Sequence, residues 1–377
     1  MANQVVIIPE VKDVFVYAHK HRNEIIWMSQ NTNHLPTTDA IEKAVLEALR
    51  EKEYNFYPYT HGIFGLREAI LEDLGLPLQD FECLLTAGGT EALYITTRAL
   101  LQHGDVVITS DPSYLIIHRF IELCNARCTD FPIYRPPWKY SIDEINEAVT
   151  KKTEMILLID PLNPLGSSYT REEVKAICEI ARDNKLYVLH DITYRDFADS
   201  HTLATEFLPE ASVIVYSVSK NCGLAGMRTG ALVASRELMN KLRAYNTNDL
   251  SINVLGQRAA LAALQTKKEW FPKVKEISRR NQAHIKEACD KIEGVFLPVY
   301  PSQANMFVID ISRTGILPDA VQNELLYEHK IFVRSGTYVS KRFGQNFIRV
   351  SFSVPEEHAL AFKEKFPIVM EKLRGRK

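Results

Sequence analysis

Between Cys83 and Ala234 the chain alternates short apolar runs with longer segments of helical spacing. The runs are Cys83 to Thr86, Val106 to Thr109, Arg127 to Phe131, Met155 to Ile159, Leu186 to Leu189, Val213 to Tyr216 and Ala231 to Ala234. Each is too short for a self-sufficient helix, and runs such as Val213 to Tyr216 carry no charge to turn toward water. The alternation predicts an α/β fold, a mostly parallel seven-stranded sheet between two helical layers. In such sheets ligands bind outside the carboxyl ends of the strands, so chemistry is expected in the residues that follow each run.

Those ends form an unusual set. A-G-G-T-E-A-L follows the first run and opens a helix from Thr90 to Leu101. Free amides at a helix start, the helix dipole and glycines that let an anion approach would make Gly89 and Thr90 a phosphate cradle; the alternative is a glycine turn capped by Thr90. S-D-P-S-Y follows the second run and offers the Tyr114 ring for stacking on a flat ligand. D-P-L-N-P-L-G presents Asn163 on a proline-stiffened loop, and H-D-I-T-Y-R-D-F puts Asp191 at a strand terminus with Tyr194 three residues on. After Val213 to Tyr216 come Ser217, a lone Lys220 and, eight residues later, Arg228. A lysine just past a buried strand is poorly solvated, and desolvation with nearby cations favours the neutral amine that condenses with an aldehyde. Taken alone, S-V-S-K also reads as a strand followed by a surface turn. A buried Asp191 needs a positive partner, which a protonated ring nitrogen supplies. One planar, phosphorylated, aldehyde-bearing heterocycle uses all of these groups: pyridoxal phosphate.

With 377 residues the chain is long enough for two lobes. It is 46% hydrophobic and 24% charged, with 45 basic against 47 acidic side chains, so no imbalance points to nucleic acid or a membrane surface as partner. Apolar runs such as Met155 to Ile159 are far too short to span a bilayer. The opening M-A-N-Q-V-V-I-I-P-E soon meets Lys12, Asp13 and H-K-H-R, which is not a signal-peptide pattern, and a cytoplasmic location is the expectation. Six cysteines are scattered without a C-x-x-C pair; Cys124 and Cys128 fit one helical face, yet without further ligands at metal spacing they read as packed, reduced thiols. His19 and His21 read as solvated, and no metal is expected.

Residues 1 to about 35 read as an arm ending in the loop M-S-Q-N-T-N-H-L-P. Thr38 and Asp39 cap a helix from Ala40 to Glu51, with Ile41, Val45, Leu46 and Leu49 at helical spacing. The tyrosine- and glycine-rich N-F-Y-P-Y-T-H-G-I-F-G-L-R then leads into a helix ending near Leu74. Past Gly230 a long helical region runs to about Glu293. Strands in P-S-Q-A-N-M-F-V-I-D-I, K-I-F-V-R-S-G and F-I-R-V-S-F-S follow and start a second lobe. Arg334 and Arg349 lie in these strands, where a lone arginine ordinarily forms a rim salt bridge.

Over roughly residues 30 to 355 the chain resembles the fold-type I pyridoxal-phosphate enzymes of the class I/II aminotransferase family. The resemblance lies in G-G-T-E-A-L, D-P-S-Y, N-P-L-G, D-I-T-Y, S-V-S-K-N-C-G-L-A-G-M-R-T-G and F-I-R-V-S-F-S, in family order. It implies the fold of that group: an N-terminal arm (1–45) belonging to a smaller α+β domain, a three-layer large domain (46–285) that binds the cofactor, and the C-terminal part of the small domain (286–377). It implies that Lys220 holds the cofactor as an imine, that Asp191 keeps the ring nitrogen protonated, that Asn163 and Tyr194 bond its phenolic oxygen, and that Tyr114 stacks on its face. Gly89, Thr90, Ser217 and Arg228 would hold the phosphate. Tyr57, in Y-P-Y-T-H-G, matches the tyrosine that family dimers lend to the neighbouring subunit's phosphate, which implies a homodimer with shared active sites. Arg349 matches the arginine that grips the substrate α-carboxylate, with Asn163 and Asn31 beside the substrate and Arg334 a further substrate-side candidate. The implied activity is ping-pong transfer of an amino group from an amino acid to a 2-oxo acid, with Lys220 as the proton carrier.

Where the chain departs from the family, substrate choice is at stake. Many members carry a glycine-containing loop near the N-terminus, and this chain has S-Q-N-T-N-H-L-P instead. With Y-P near Tyr57, G-L-A-G-M-R and P-S-Q-A-N, that loop resembles the histidinol-phosphate aminotransferase branch and its decarboxylase relatives. D-P-L-N-P-L-G lacks the usual threonine, and D-I-T-Y replaces the commoner D-E-A-Y; neither change removes an expected cofactor contact. The alternatives are a decarboxylase, β-lyase or oxidase on the same fold, a histidinol-phosphate-type transaminase, or a regulatory module, the last disfavoured because both Lys220 and Asp191 are present.

Overall fold

The structure is a computed structural model and describes residues 13–375; the opening M-A-N-Q-V-V-I-I-P-E lies outside the described residues. A short helix, Val14–Lys20, precedes strand β1 (Ile26–Trp27). Thr38 then caps the helix Asp39–Arg50, its Oγ1 accepting from the Ala40 amide at 3.2 Å. The expected boundary at residue 45 falls inside that helix, which packs on Val254–Gln265.

The central sheet contains β2 (Phe81–Thr86), β3 (Val106–Asp111), β4 (Arg127–Pro132), β5 (Thr153–Ile159), β6 (Tyr187–Asp191), β7 (Ser212–Ser217) and β8 (Gly230–Ser235). Its order is β2-β8-β7-β6-β5-β3-β4, with β8 alone antiparallel to its neighbours. Strand periodicity divides the side chains between two cores. Val213 and Val215 of β7 face one helical layer with Leu232 and Ala234 of β8, while Ile214 and Tyr216 face the other with Ala231 and Val233. Burial on both faces explains why these runs lack charge: each fully buried Val or Ile contributes about 1.5–3 kcal/mol, and a charge there would have no solvent to face.

A second, three-stranded antiparallel sheet of β9 (Met306–Asp310), β11 (Arg334–Ser335) and β12 (Phe347–Ser351) has its own core, including Phe307, Ile348, Phe362 and Phe366. β10 (Ile331–Phe332) pairs with β1 in parallel, which ties the arm to this sheet. The helix Lys267–Cys289 bridges the two cores: Trp270, Phe271 and Val274 join the central-sheet cluster, and Ile285, Ala288 and Cys289 join the other. The expected boundary at 285/286 therefore falls within one continuous helix.

Cys124 and Cys128 do not share a helical face. The helix Ile116–Leu123 ends at Cys124, Asn125 adopts the left-handed conformation (φ 55°), and Cys128 lies on β4. All six cysteines are unpaired. Within the described residues no helix is long and apolar enough to cross a membrane.

Candidate active site

The carboxyl ends of β2, β3, β5, β6 and β7 open on one cavity of about 300 Å³, closed from the other side by residues 29–32, Arg334, Tyr338 and Arg349. Parallel strands end on the same edge, so residues far apart in sequence converge there. The cavity brings together Gly89, Thr90, Tyr114, Asn163, Asp191 and Tyr194. Ser217, Lys220, Arg228, Arg349 and Asn31 complete the set. Tyr57 lies apart from it, 83% exposed on the tyrosine-rich segment.

One end is built for an anion. Gly88 (φ 85°) turns the chain from β2 into the helix Gly89–Leu100, whose first residues, Gly89 and Thr90, line the cavity. A Cβ on Gly88 would lie 2.6 Å from Arg228 Nη2, and one on Gly230 would lie 2.7 Å from the Gly88 carbonyl carbon, so both positions need glycine for this close approach. Arg228, itself left-handed (φ 50°), is held by the carbonyls of Ala225 (2.9 Å) and Ala87 (3.2 Å). Ser217 Oγ accepts from the Ser219 amide at 3.2 Å, and the Tyr114 hydroxyl lies 3.3 Å from Thr90 Oγ1.

Opposite lies the titrating pair. Asp191 ends β6, where Thr193 donates both its hydroxyl (2.6 Å) and its amide (3.1 Å) to Oδ1. Burial raises the Asp191 pKa, against those bonds and against Lys220. Lys220 Nζ donates to the Gln30 carbonyl at 2.9 Å. Its side chain is half-buried because it opens on the cavity, yet it lies deep among protein atoms. Desolvation, then Arg349 and Arg228, lower its pKa to about 8 against the pull of Asp191. That is the poised amine expected of a residue that condenses with an aldehyde.

The remaining wall is cationic. Buried Arg349 donates to Asn163 Oδ1 (3.0 Å) and to the Ser29 carbonyl (2.6 Å), while its Nε has no partner among the described residues. Burial lowers its pKa to about 10, still charged at neutral pH. Arg334 is clasped between the rings of Phe15 (4.2 Å) and Tyr338 (3.7 Å), and its buried Nε also lacks a partner among the described residues. Orphaned donors on two buried guanidinium groups that line a cavity fit an anionic ligand.

A glycine turn with Arg228 at one end, the Lys220 amine and the Asp191 carboxylate in the same cavity and two guanidinium groups beyond fit the donor needs of pyridoxal phosphate and an amino acid together. Behind the site, Asp160, His190 and His201 have the composition of a metal centre. His190 Nδ1, however, accepts from the Ala204 amide (3.2 Å), so in the neutral ring that burial favours Nε2 carries the proton and turns it toward Asp160 Oδ2, 3.8 Å away. A ligating imidazole has the reverse arrangement.

The chain belongs to the class I and II aminotransferase family, whose model matches residues 23–364. Its cofactor is pyridoxal phosphate, and it transfers an amino group between an amino acid and a 2-oxo acid. It is 27% identical to the aspartate aminotransferase of Pyrococcus horikoshii, over 96% of this chain and 94% of that one. A histidinol-phosphate aminotransferase of Haemophilus influenzae is 26% identical, over 89% and 87% of the two chains. Two solved structures share the fold at a TM-score of 0.82: YbdL of Escherichia coli, with a methionine aminotransferase function, at 22% identity over 96% and 99%, and a double mutant of the Thermus thermophilus aspartate aminotransferase at 21% over 98% and 99%.

Sequence reasoning missed several cavity residues. Thr193 had a signal, since a hydroxyl two residues after a strand-end aspartate commonly bonds back to it. Gln30 and Ser29 act through backbone carbonyls, which no side-chain pattern reveals.

Proposed function

We propose a ping-pong transaminase in which Lys220 carries the proton and Arg349 binds the substrate carboxylate. The observation that carries the reading is a Lys220 amine that shares one cavity with Asp191, Arg349 and Arg228 and whose pKa burial and the two arginines lower. Pyridoxal phosphate, when bound, supplies an aldehyde and an electron-accepting ring. Gly89, Thr90, Ser217 and Arg228 would hold its phosphate, Asp191 its ring nitrogen, Asn163 and Tyr194 its phenolic oxygen, and Tyr114 would stack on its face. Arg349, braced by Asn163, grips the amino acid's α-carboxylate and orients Cα toward Lys220. Lys220, as its neutral amine, would take the proton from Cα and give it up to the carbon that had carried the cofactor's aldehyde. Water would supply the carbonyl oxygen of the 2-oxo acid, which leaves with its nitrogen retained by the cofactor before the acceptor binds.

The enzyme is, in this reading, a cytoplasmic homodimer. Unpaired cysteines support a reducing compartment. Tyr54, Phe56, Tyr57, Tyr59 and Phe64 are all exposed on one segment, an aromatic surface suited to a second copy, into whose site Tyr57 would reach. One observation favours a substrate with a second anionic group, as in the histidinol-phosphate class: buried Arg334 adds a second cation to the wall that carries Arg349.

The test is a half-reaction. Holoenzyme incubated with single amino acids and no acceptor is expected to release one 2-oxo acid per site. Release of carbon dioxide, ammonia or peroxide instead would replace this reading with a decarboxylase, β-lyase or oxidase.

A further inference from the structure

Three consecutive residues of the arm touch three groups of the site. The Ser29 carbonyl accepts from Arg349, the Gln30 carbonyl from Lys220, and the Asn31 amide donates to the Tyr194 hydroxyl at 3.2 Å. Asn31 is buried and left-handed (φ 55°), a conformation asparagine tolerates better than most residues. Its carbonyl is taken by Asn305 Nδ2 at 2.9 Å. Its backbone amide donates to Ser351 Oγ at 2.9 Å, and Ser351 Oγ returns a bond to Asn31 Oδ1 at 2.8 Å.

These bonds have only one consistent direction. A backbone amide can only donate, so Ser351 Oγ is an acceptor there and keeps its proton for Asn31 Oδ1. Were the Asn31 amide flipped, Ser351 would accept twice, and its proton would face no other bonded acceptor among the described residues. Asn31 therefore turns Oδ1 to Ser351 and Nδ2 to Tyr194. The Tyr194 oxygen is thereby an acceptor from the arm, and its own proton is left to point into the cavity it lines.

We propose that Ser351 and Asn31 are positioning residues that fix Tyr194 as a hydrogen-bond donor toward the cofactor, and that Asn31 is not a substrate ligand. The inference rests on the reading above that Tyr194 faces the cofactor's phenolic oxygen. Two residues after Arg349 on β12, Ser351 thus sets the polarity of a group in the turn that follows β6. A donated hydrogen bond stabilises the ionised phenolic oxygen and lowers the pH at which the bound cofactor's absorption changes; removing it raises that pH.

The experiment is a pH titration of the visible absorption of the purified holoenzyme. Ser351→Ala is expected to move the midpoint up by about 0.5–1 pH unit, the size of one ordinary hydrogen bond. Ser351→Thr, which keeps the hydroxyl, should restore it. Asn31→Asp, which turns the Tyr194 proton away from the cavity, should move it up further. Tyr194→Phe should raise the midpoint by itself, and Ser351→Ala should add nothing in that background. An unchanged midpoint in Ser351→Ala, with Tyr194→Phe shifted, would overturn the relay alone. So would equal shifts from Ser351→Ala with and without Tyr194, or a rise in KM with no spectral change. An unchanged midpoint in Tyr194→Phe would overturn the underlying placement of the cofactor, and the relay with it.

Discussion

Arg349 of β12 stands directly across from Arg334 of β11 in antiparallel register. Like charges opposite each other on a ladder repel, and burial deprives both of water. Arg334 meets this between two aromatic rings, and Arg349 through Asn163 and the Ser29 carbonyl, neither of which carries a negative charge. Among the described residues neither guanidinium makes an ion pair with a carboxylate, although Asp13 and Asp319 act on Arg334, so positive charge faces the cavity and an anionic substrate would balance it.

The two arginines should separate by experiment. Arg349→Lys keeps the charge but loses the planar fork, and at about 1.5–3 kcal/mol per charged hydrogen bond the KM for any amino acid should rise roughly 10- to 100-fold. Arg334→Gln should leave the KM for monocarboxylic amino acids unchanged and raise it only for substrates with a second anionic group. Steady-state kinetics over a substrate panel checks both, and equal losses for every substrate in Arg334→Gln would remove its assigned part in selectivity.

Asp73 should be a stability residue although it lies outside the cavity. It accepts from Lys267 at 2.7 and 3.0 Å and from the Tyr216 hydroxyl at 2.8 Å, and it pairs with Arg195, which also bonds its carbonyl at 2.8 Å. Lys267 also reaches Asp196 at 2.8 Å, and Asp196 is bonded by Asn221, the neighbour of Lys220. Asp73→Ala leaves two largely buried cations sharing one carboxylate and should cost about 3–5 kcal/mol in urea unfolding. Burial pushes the Asp196 carboxyl up, but Arg195 and Lys267 outweigh it and hold its pKa below the ordinary 3.8. Its stabilising contribution is therefore complete at neutral pH and is lost only as pH falls below that value.

The division between what the chain announces and what it conceals follows from these contacts. The strand ends were legible because an uncharged run that stops at Asp191 or Ser217 has only one reason to turn polar at that point. The covering of the sheet on both faces was legible from uncharged runs such as Val213 to Tyr216, whose side chains the structure divides between two cores. The Asp73–Arg195 and Asp73–Lys267 pairs were not, because partners 122 and 194 residues apart leave no local pattern. Helical spacing misled at Cys124 and Cys128, where left-handed Asn125 ends the helix between them. Asn31 was expected beside the substrate from the family resemblance, but its bonds to Ser351 and Tyr194 depend on how the arm crosses the sheet ends.

Lys220 offers the most direct test of the site's electrostatics. Only the neutral amine condenses with an aldehyde, and the lowered pKa makes that form available from about pH 8 upward instead of near 10.5. Cofactor-free protein mixed with pyridoxal phosphate should therefore take it up at a rate that climbs with pH, with a midpoint near 8, followed by stopped-flow absorbance. After burial itself, Arg349 is the largest influence lowering the pKa, so Arg349→Gln should move the midpoint up. Asp191 opposes them, so Asp191→Asn should move it down. Lys220→Ala should abolish the covalent uptake and lower turnover by roughly 10²-fold or more, the scale of a lost general base. A midpoint unmoved by Arg349→Gln would mean that burial alone sets the lysine, and the arginine would then keep only its part in gripping substrate.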